Sequence, residues 1–105
     1  MSVRILRRAK AVTDAESIAD WIAKDSLDAA LRFLESLENT LERLAEFPGS
    51  GSPFHTHIRE FTDLRFAPVK GFRNHIIFYV EHKAAIEVIR ILQGARDIEA
   101  ELRKR

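Results

Sequence analysis

The chain has 105 residues, 46% hydrophobic and 31% charged, with a formal net charge of +1. That suits one globular domain over residues 1–105 with apolar side chains enough for a core, and excludes a disordered segment. There is no cysteine, so disulfides and thiol chemistry are excluded. No run approaches the roughly 18 apolar residues of a membrane helix, and MSVRILRRAK meets its charges too early for a signal peptide. A cytoplasmic protein without membrane contact is expected.

Taken in order, Ser2–Arg8 alternates loosely, with Val3 and Ile5 on one parity, as a half-buried edge strand does. Thr13 or Asp14 offers an N-cap, with Glu16 three residues beyond Thr13 as in a capping box. Ala15, Ile18, Ala19 and Ile22 then form a helical stripe to about Lys24, with Trp21 at its border. Ser26 or Asp25 can cap a second helix. There Leu27, Ala30, Leu34, Leu37, Leu41 and Leu44 recur at spacings of 3 and 4, which predicts a helix of about 20 residues. With fewer than four heptads, this stripe reads as packing on the domain itself rather than as a coiled coil.

Phe47-Pro48-Gly49-Ser50-Gly51 ends that helix, because Pro and Gly cannot continue it. The stretch Phe54–Phe61 has no clear period, and Thr62–Ala67 reads as a strand limited by Pro68. The clearest signal follows. His75–Val80 and Ala85–Leu92 are β-branched and aromatic runs separated by Glu81-His82-Lys83 and closed by Gly94, a hairpin. The first run is apolar on both parities, so it belongs in the centre of a sheet covered on both faces. Asp97 can cap a short terminal helix containing Ile98 and Leu102. The expected fold is α+β, in the order β-α-α-β-β-β: an N-terminal strand, a two-helix hairpin on a four-stranded, mostly antiparallel sheet, and a short C-terminal helix.

Charge is unevenly distributed. Residues 14–46 carry nine acids against Lys24, Arg32 and Arg43, whereas basic residues lead elsewhere. Such segregation reads either as a positive face that attracts an acidic partner or nucleic acid, or as two solvated faces of opposite sign. His55-Thr56-His57 is the one close histidine pair, and without cysteine or a well-placed acid it makes no metal site. No phosphate loop, Walker motif or Gly-x-Ser-x-Gly elbow occurs, so no cofactor is expected. A metal-free ribonuclease would need a base, an acid and cations at the phosphate. Tyr79 or His75 could exchange protons, but neither stands in a defensible acid–base pair.

The chain resembles the ParE-type toxins of the ParE/RelE superfamily. The likeness is carried by Asp14-x-x-x-Ile18-x-x-Trp21-Ile22-Ala23, Ala29-Ala30-x-Arg32-Phe33-x-x-x-Leu37 and Leu44-Ala45-x-Phe47-Pro48-x-x-Gly51. It continues in Leu64-Arg65-x-x-Pro68-Val69-x-Gly71-Phe72, Ile76-Ile77-Phe78-Tyr79 and Ile86-x-Val88-x-Arg90-Ile91-Leu92-x-Gly94-Ala95-Arg96-Asp97. The resemblance implies the toxin of a bacterial type II toxin–antitoxin pair that arrests growth. It is expected to inhibit DNA gyrase by binding and to be neutralised by a ParD-like ribbon-helix-helix antitoxin. Operator DNA would be reached only through that antitoxin. The alternatives are a RelE-like ribosome-dependent messenger-RNA endonuclease and a non-toxic member acting only in an autoregulatory complex. The nuclease branch has an Arg three residues before the strand tyrosine and a late aromatic or His. Here Ile76 stands at the first place, and Ile98–Arg105 offers neither. We therefore expect no catalytic residue and no enzyme activity. The expected target-binding surface is basic: Arg65, Lys70, Arg73, Arg90 and Arg96, although Arg96 and Asp97 could instead pair locally.

Overall fold

A computed structural model describes residues 2–94 and 97–104. Strand β1 (Arg4–Arg7) leads directly into α1 (Ala9–Ala23), which a short turn joins to α2 (Leu27–Glu46). Strands β2 (Ser52–Pro53), β3 (Leu64–Val69), β4 (Phe72–His82) and β5 (Ala85–Gln93) follow, and α3 (Ile98–Arg103) closes the chain. Single helical turns occupy Pro48–Ser50 and Arg59–Phe61. The sheet order is β1-β5-β4-β3-β2, with β1 parallel to β5 and every other pair antiparallel.

The α+β plan is the expected one, and three details differ. The sheet has a fifth strand, β2, of two residues. It ends in Pro53, which cannot donate to a ladder, so no alternation announces it. The first helix begins at Ala9 rather than at Thr13 or Asp14, with Arg8 as a cap that makes no side-chain bond. Thr13 lies inside the helix and returns its hydroxyl to Ala9 O at 3.1 Å, while Asp14 is engaged elsewhere. Finally, Leu27 and Leu34 of the apolar stripe are not core: Leu27 is 66% exposed. The second cap is as read, since Ser26 Oγ accepts from Ala29 N at 3.1 Å and the helix runs 20 residues. Asp97 likewise caps α3 through Ala100 N.

β4 is the central strand, and its two parities go to two cores. Ile77 and Tyr79 pack beneath the helices with Phe33, Leu37 and Leu41, all essentially without exposure. Ile76, Phe78 and Val80 face the other side, where Phe54, Ile58, Phe61 and Leu102 cover them. The aperiodic stretch 54–61 is thus the lid of the second core. Its Phe54 meets Phe78 edge-on at 5.2 Å between centroids, a favourable aromatic arrangement.

A β-bulge interrupts the β4–β5 ladder: Phe78 faces Arg90 and Tyr79 faces Val88, leaving Ile89 as the extra residue. The insertion shifts parity. Ile86, Val88 and Ile91 all reach the helix side, and Ile89 and Leu92 reach the other.

Tyr79 ties the post-helix loop to this centre. It is fully buried, its hydroxyl donates to Pro48 O at 2.7 Å, and it accepts from Gly51 N at 2.9 Å. A Cβ at position 51 would stand 2.3 Å from that oxygen. Gly51 has ordinary extended dihedrals, so close approach alone requires glycine here. Gly51→Ala should cost about 1–3 kcal/mol by overpacking. Tyr79→Phe should cost a similar ~1–3 kcal/mol, because it strands a buried amide. Urea denaturation of the two variants and their combination should give a sub-additive total, since one contact is lost in both. Strict additivity would refute the shared contact.

Candidate functional site

The bulge aims Arg90 at the junction of α1, β5 and α3. Although charged, it is 6% exposed. Its Nε donates to Asp14 Oδ2 at 2.7 Å and its Nη2 to Asp14 Oδ1 at 2.8 Å, the bidentate fork that guanidinium and carboxylate form best. Nη1 donates to Glu101 O at 2.6 Å, so α3 is held by the same side chain. Asp14 Oδ2 also accepts from Ile91 N at 3.0 Å. The Asp14 carboxylate raises the Arg90 pKa further, keeping the guanidinium charged despite its burial.

The five basic residues named from the sequence therefore do not form one surface. Arg90 is interior, and the expectation that it joins an open basic face gives way to an ion pair linking three elements. Arg65 spends Nη1 on Gly49 O and Gly51 O, at 3.2 and 2.7 Å, and steadies the loop that Tyr79 anchors. Lys70 and Arg73 come together at the β3–β4 turn, exposed and without an ion pair among the described residues. Arg96 lies outside the described residues.

A cavity of about 610 Å³ opens beside the Arg90–Asp14 pair, walled by Trp21, Asn74, His75 and Gln93. His75 lies edge-on to Phe33, 5.5 Å between ring centroids. Burial holds its pKa below the ordinary histidine value, and its Nδ1 has no hydrogen-bond partner among the described residues. Tyr79 is held by structural bonds. Burial raises its pKa, and its hydroxyl is committed to Pro48 and Gly51. The strand aromatics that could have served a ribonuclease are thus one half-buried imidazole and one phenol used for structure.

Part of the stripe that the sequence assigns to packing is an apolar surface. Trp21, Leu27, Leu31 and Leu34 are exposed on the outer side of the helical hairpin, at 68, 66, 56 and 36%. Spacings of 4 and 3 along α2 signal an apolar stripe but not whether anything covers it. Lys24 Nζ stands 5.0 Å from the Trp21 ring centroid, within cation–π range.

A two-helix hairpin laid on a mostly antiparallel sheet, its central tyrosine tied to the post-helix loop, is an α+β fold. The family model of the "ParE toxin of type II toxin-antitoxin system, parDE" matches residues 5–98, and the chain belongs to that family. Solved structures agree in fold. One described as "Chromosomal ParDE TA system from P. aeruginosa" superposes with a TM-score of 0.69 at 14% identity, covering 88% of this chain and 96% of that one. A search of curated protein sequences returned no match.

Two outcomes follow from these charges. Asp14→Ala should destabilise the fold by about 3–5 kcal/mol, because buried Arg90 loses its bidentate partner and keeps only the longer pair to Glu101 at 3.4 Å. Asp14→Ala combined with Arg90→Met should cost less than Asp14→Ala alone, and chemical denaturation would expose the error if it costs more. Glu87 is held below the usual carboxylate range, first by its hydrogen bond from Arg8 and then by His82. A depressed folded-state pKa gives stability that is present above the unfolded value, near 4.3, and is lost as pH falls through the folded one. The acid limb of a pH–stability curve should accordingly be shallower in Glu87→Gln; an identical limb would contradict this.

Proposed function

We propose that this ParE-family chain is the toxin of a type II toxin–antitoxin pair that arrests growth by binding DNA gyrase, without performing chemistry itself. The observation that carries the reading is family membership across residues 5–98. Its physical support is the commitment of the Tyr79 hydroxyl to two backbone groups, which gives the phenol of the central strand a structural part. A poison of this kind acts by holding a protein–DNA complex. Lys70 and Arg73, exposed at one turn, suit contact with that complex, with Arg65 at the far end of β3 and Arg96 as further candidates.

The partner in this reading is a ParD-like antitoxin with a ribbon-helix-helix region that binds operator DNA on behalf of both. Exposed Leu27, Leu31 and Leu34 offer the i, i+4, i+7 anchors that receive an amphipathic helix, and the unpaired side of β1 offers an edge for strand addition. Among the described residues no helix is long and apolar enough to cross a membrane. Action in the cytoplasm, where gyrase works, fits that observation.

The decisive measurement is purified chain titrated into gyrase supercoiling and cleavage assays. Loss of supercoiling with accumulation of linear DNA is expected, and gyrase unaffected at high molar excess would refute the target. Lys70→Ala with Arg73→Ala should weaken inhibition about three- to tenfold, since exposed pairs contribute a few tenths to one kcal/mol each.

A further inference from the structure

The two flanks of α2 are chemically unlike. Taking Arg32 as origin, Asn39 and Arg43 recur after seven and eleven residues, close to two and three helical turns. They form one polar stripe, set apart from the buried Phe33, Leu37 and Leu41 and from the exposed Leu27 and Leu31. Arg32 and Arg43 are two of only three cations in an otherwise acidic segment, 14–46. Both lie on the flank that faces the β3–β4 turn.

Between that stripe and the turn runs a groove of about 1000 Å³. Its far wall begins where β2 stops: β2 pairs only with Arg65 and Phe66, so Ala67 and Pro68 have no strand beyond them among the described residues. The wall is fixed to the helix. Ser36 donates its hydroxyl to Lys70 O, and Lys70 N donates to Thr40 Oγ1 at 3.3 Å. The rim carries Arg32, Arg43 and Lys70, all exposed and without an ion pair among the described residues, against the single carboxylate Glu35. The floor is apolar, built from Leu44, Ala67, Pro68 and Phe72.

We propose that this groove binds an extended, acidic peptide segment of a partner protein. Carboxylates of that segment would pair with Arg32, Arg43 and Lys70, and its apolar side chains would sit on the Leu44–Pro68–Phe72 floor. Rim and floor together choose this ligand. A nucleic acid presents phosphates but would leave the apolar floor unmatched, and an uncharged apolar segment would leave three cations unanswered. Size agrees as well. Arg32 and Arg43 are about 16 Å apart along the helix, a span of about five extended residues. The site is separate from the Leu27–Leu31–Leu34 stripe and does not depend on gyrase being the target.

The test is selection from a displayed library of random linear peptides on the intact chain, with recovered peptides measured by fluorescence anisotropy. Recovered sequences should combine Asp or Glu with Leu, Ile or Phe. Their binding should fall about tenfold in the combined Arg32→Ala, Arg43→Ala, Lys70→Ala variant, and weaken with added salt. Glu35→Gln should bind more tightly, and Lys70→Arg should bind as the parent does. Circular dichroism of the triple variant controls for folding, and the Glu35→Gln gain stands as a second readout if that variant unfolds. Peptides without acidic residues, or equal binding by the triple variant, would overturn the proposal. So would a labelled DNA duplex that binds the parent, fails on the triple variant, and displaces no peptide. Because binding is read directly, failure here leaves the gyrase reading untouched, and failure of the gyrase assays leaves this one standing.

Discussion

The Asp14–Arg90 pair is the constraint on which the packing of separate elements depends. One carboxylate accepts from both arms of a guanidinium and from the Ile91 amide, while the third guanidinium nitrogen reaches the backbone of α3. A buried pair is a poor source of net stability, since desolvation consumes most of its Coulomb gain. Its effect is geometric. It sets where α1 starts along β5 and holds a helix of six residues that could not persist alone. The bulge at Ile89 is the device that makes this possible, because without the extra residue the parity of β5 would be wrong on one side of it.

Tyr79 plays the corresponding part on the adjoining strand, tying the loop after α2 to the sheet. A tyrosine in the middle of a central strand needs a hydrogen-bond partner for its hydroxyl, and the Pro48–Gly51 loop supplies both a donor and an acceptor. Arg65 closes the same loop from the neighbouring strand. Two polar side chains of the interior, Tyr79 and Arg90, are thus occupied by structural bonds.

Two surfaces remain available, on opposite flanks of α2. One is apolar within an acidic surround, the other basic over an apolar floor. A single amphipathic helix with a buried face and two different exposed flanks can engage two segments at once, or one segment that wraps from flank to flank.

Much was legible in the amino-acid order. The Ser26 cap, the 20-residue α2, the β4–β5 hairpin and the centrality of β4 all follow from local patterns: a hydroxyl before a helix, apolar spacing of three and four, and a strand apolar on both parities. Tertiary structure alone decided the rest. Asp14 has the look of a helix cap, and Arg90 the look of a surface cation, until the fold brings them together across 76 positions. Leu27 and Leu44 stand in the same stripe, yet one lies open and the other buried, because coverage depends on what lies opposite. Local periodicity reports which side chains share a face. Only the closed chain decides what each face meets, because burial and ion pairing are properties of neighbours distant in sequence.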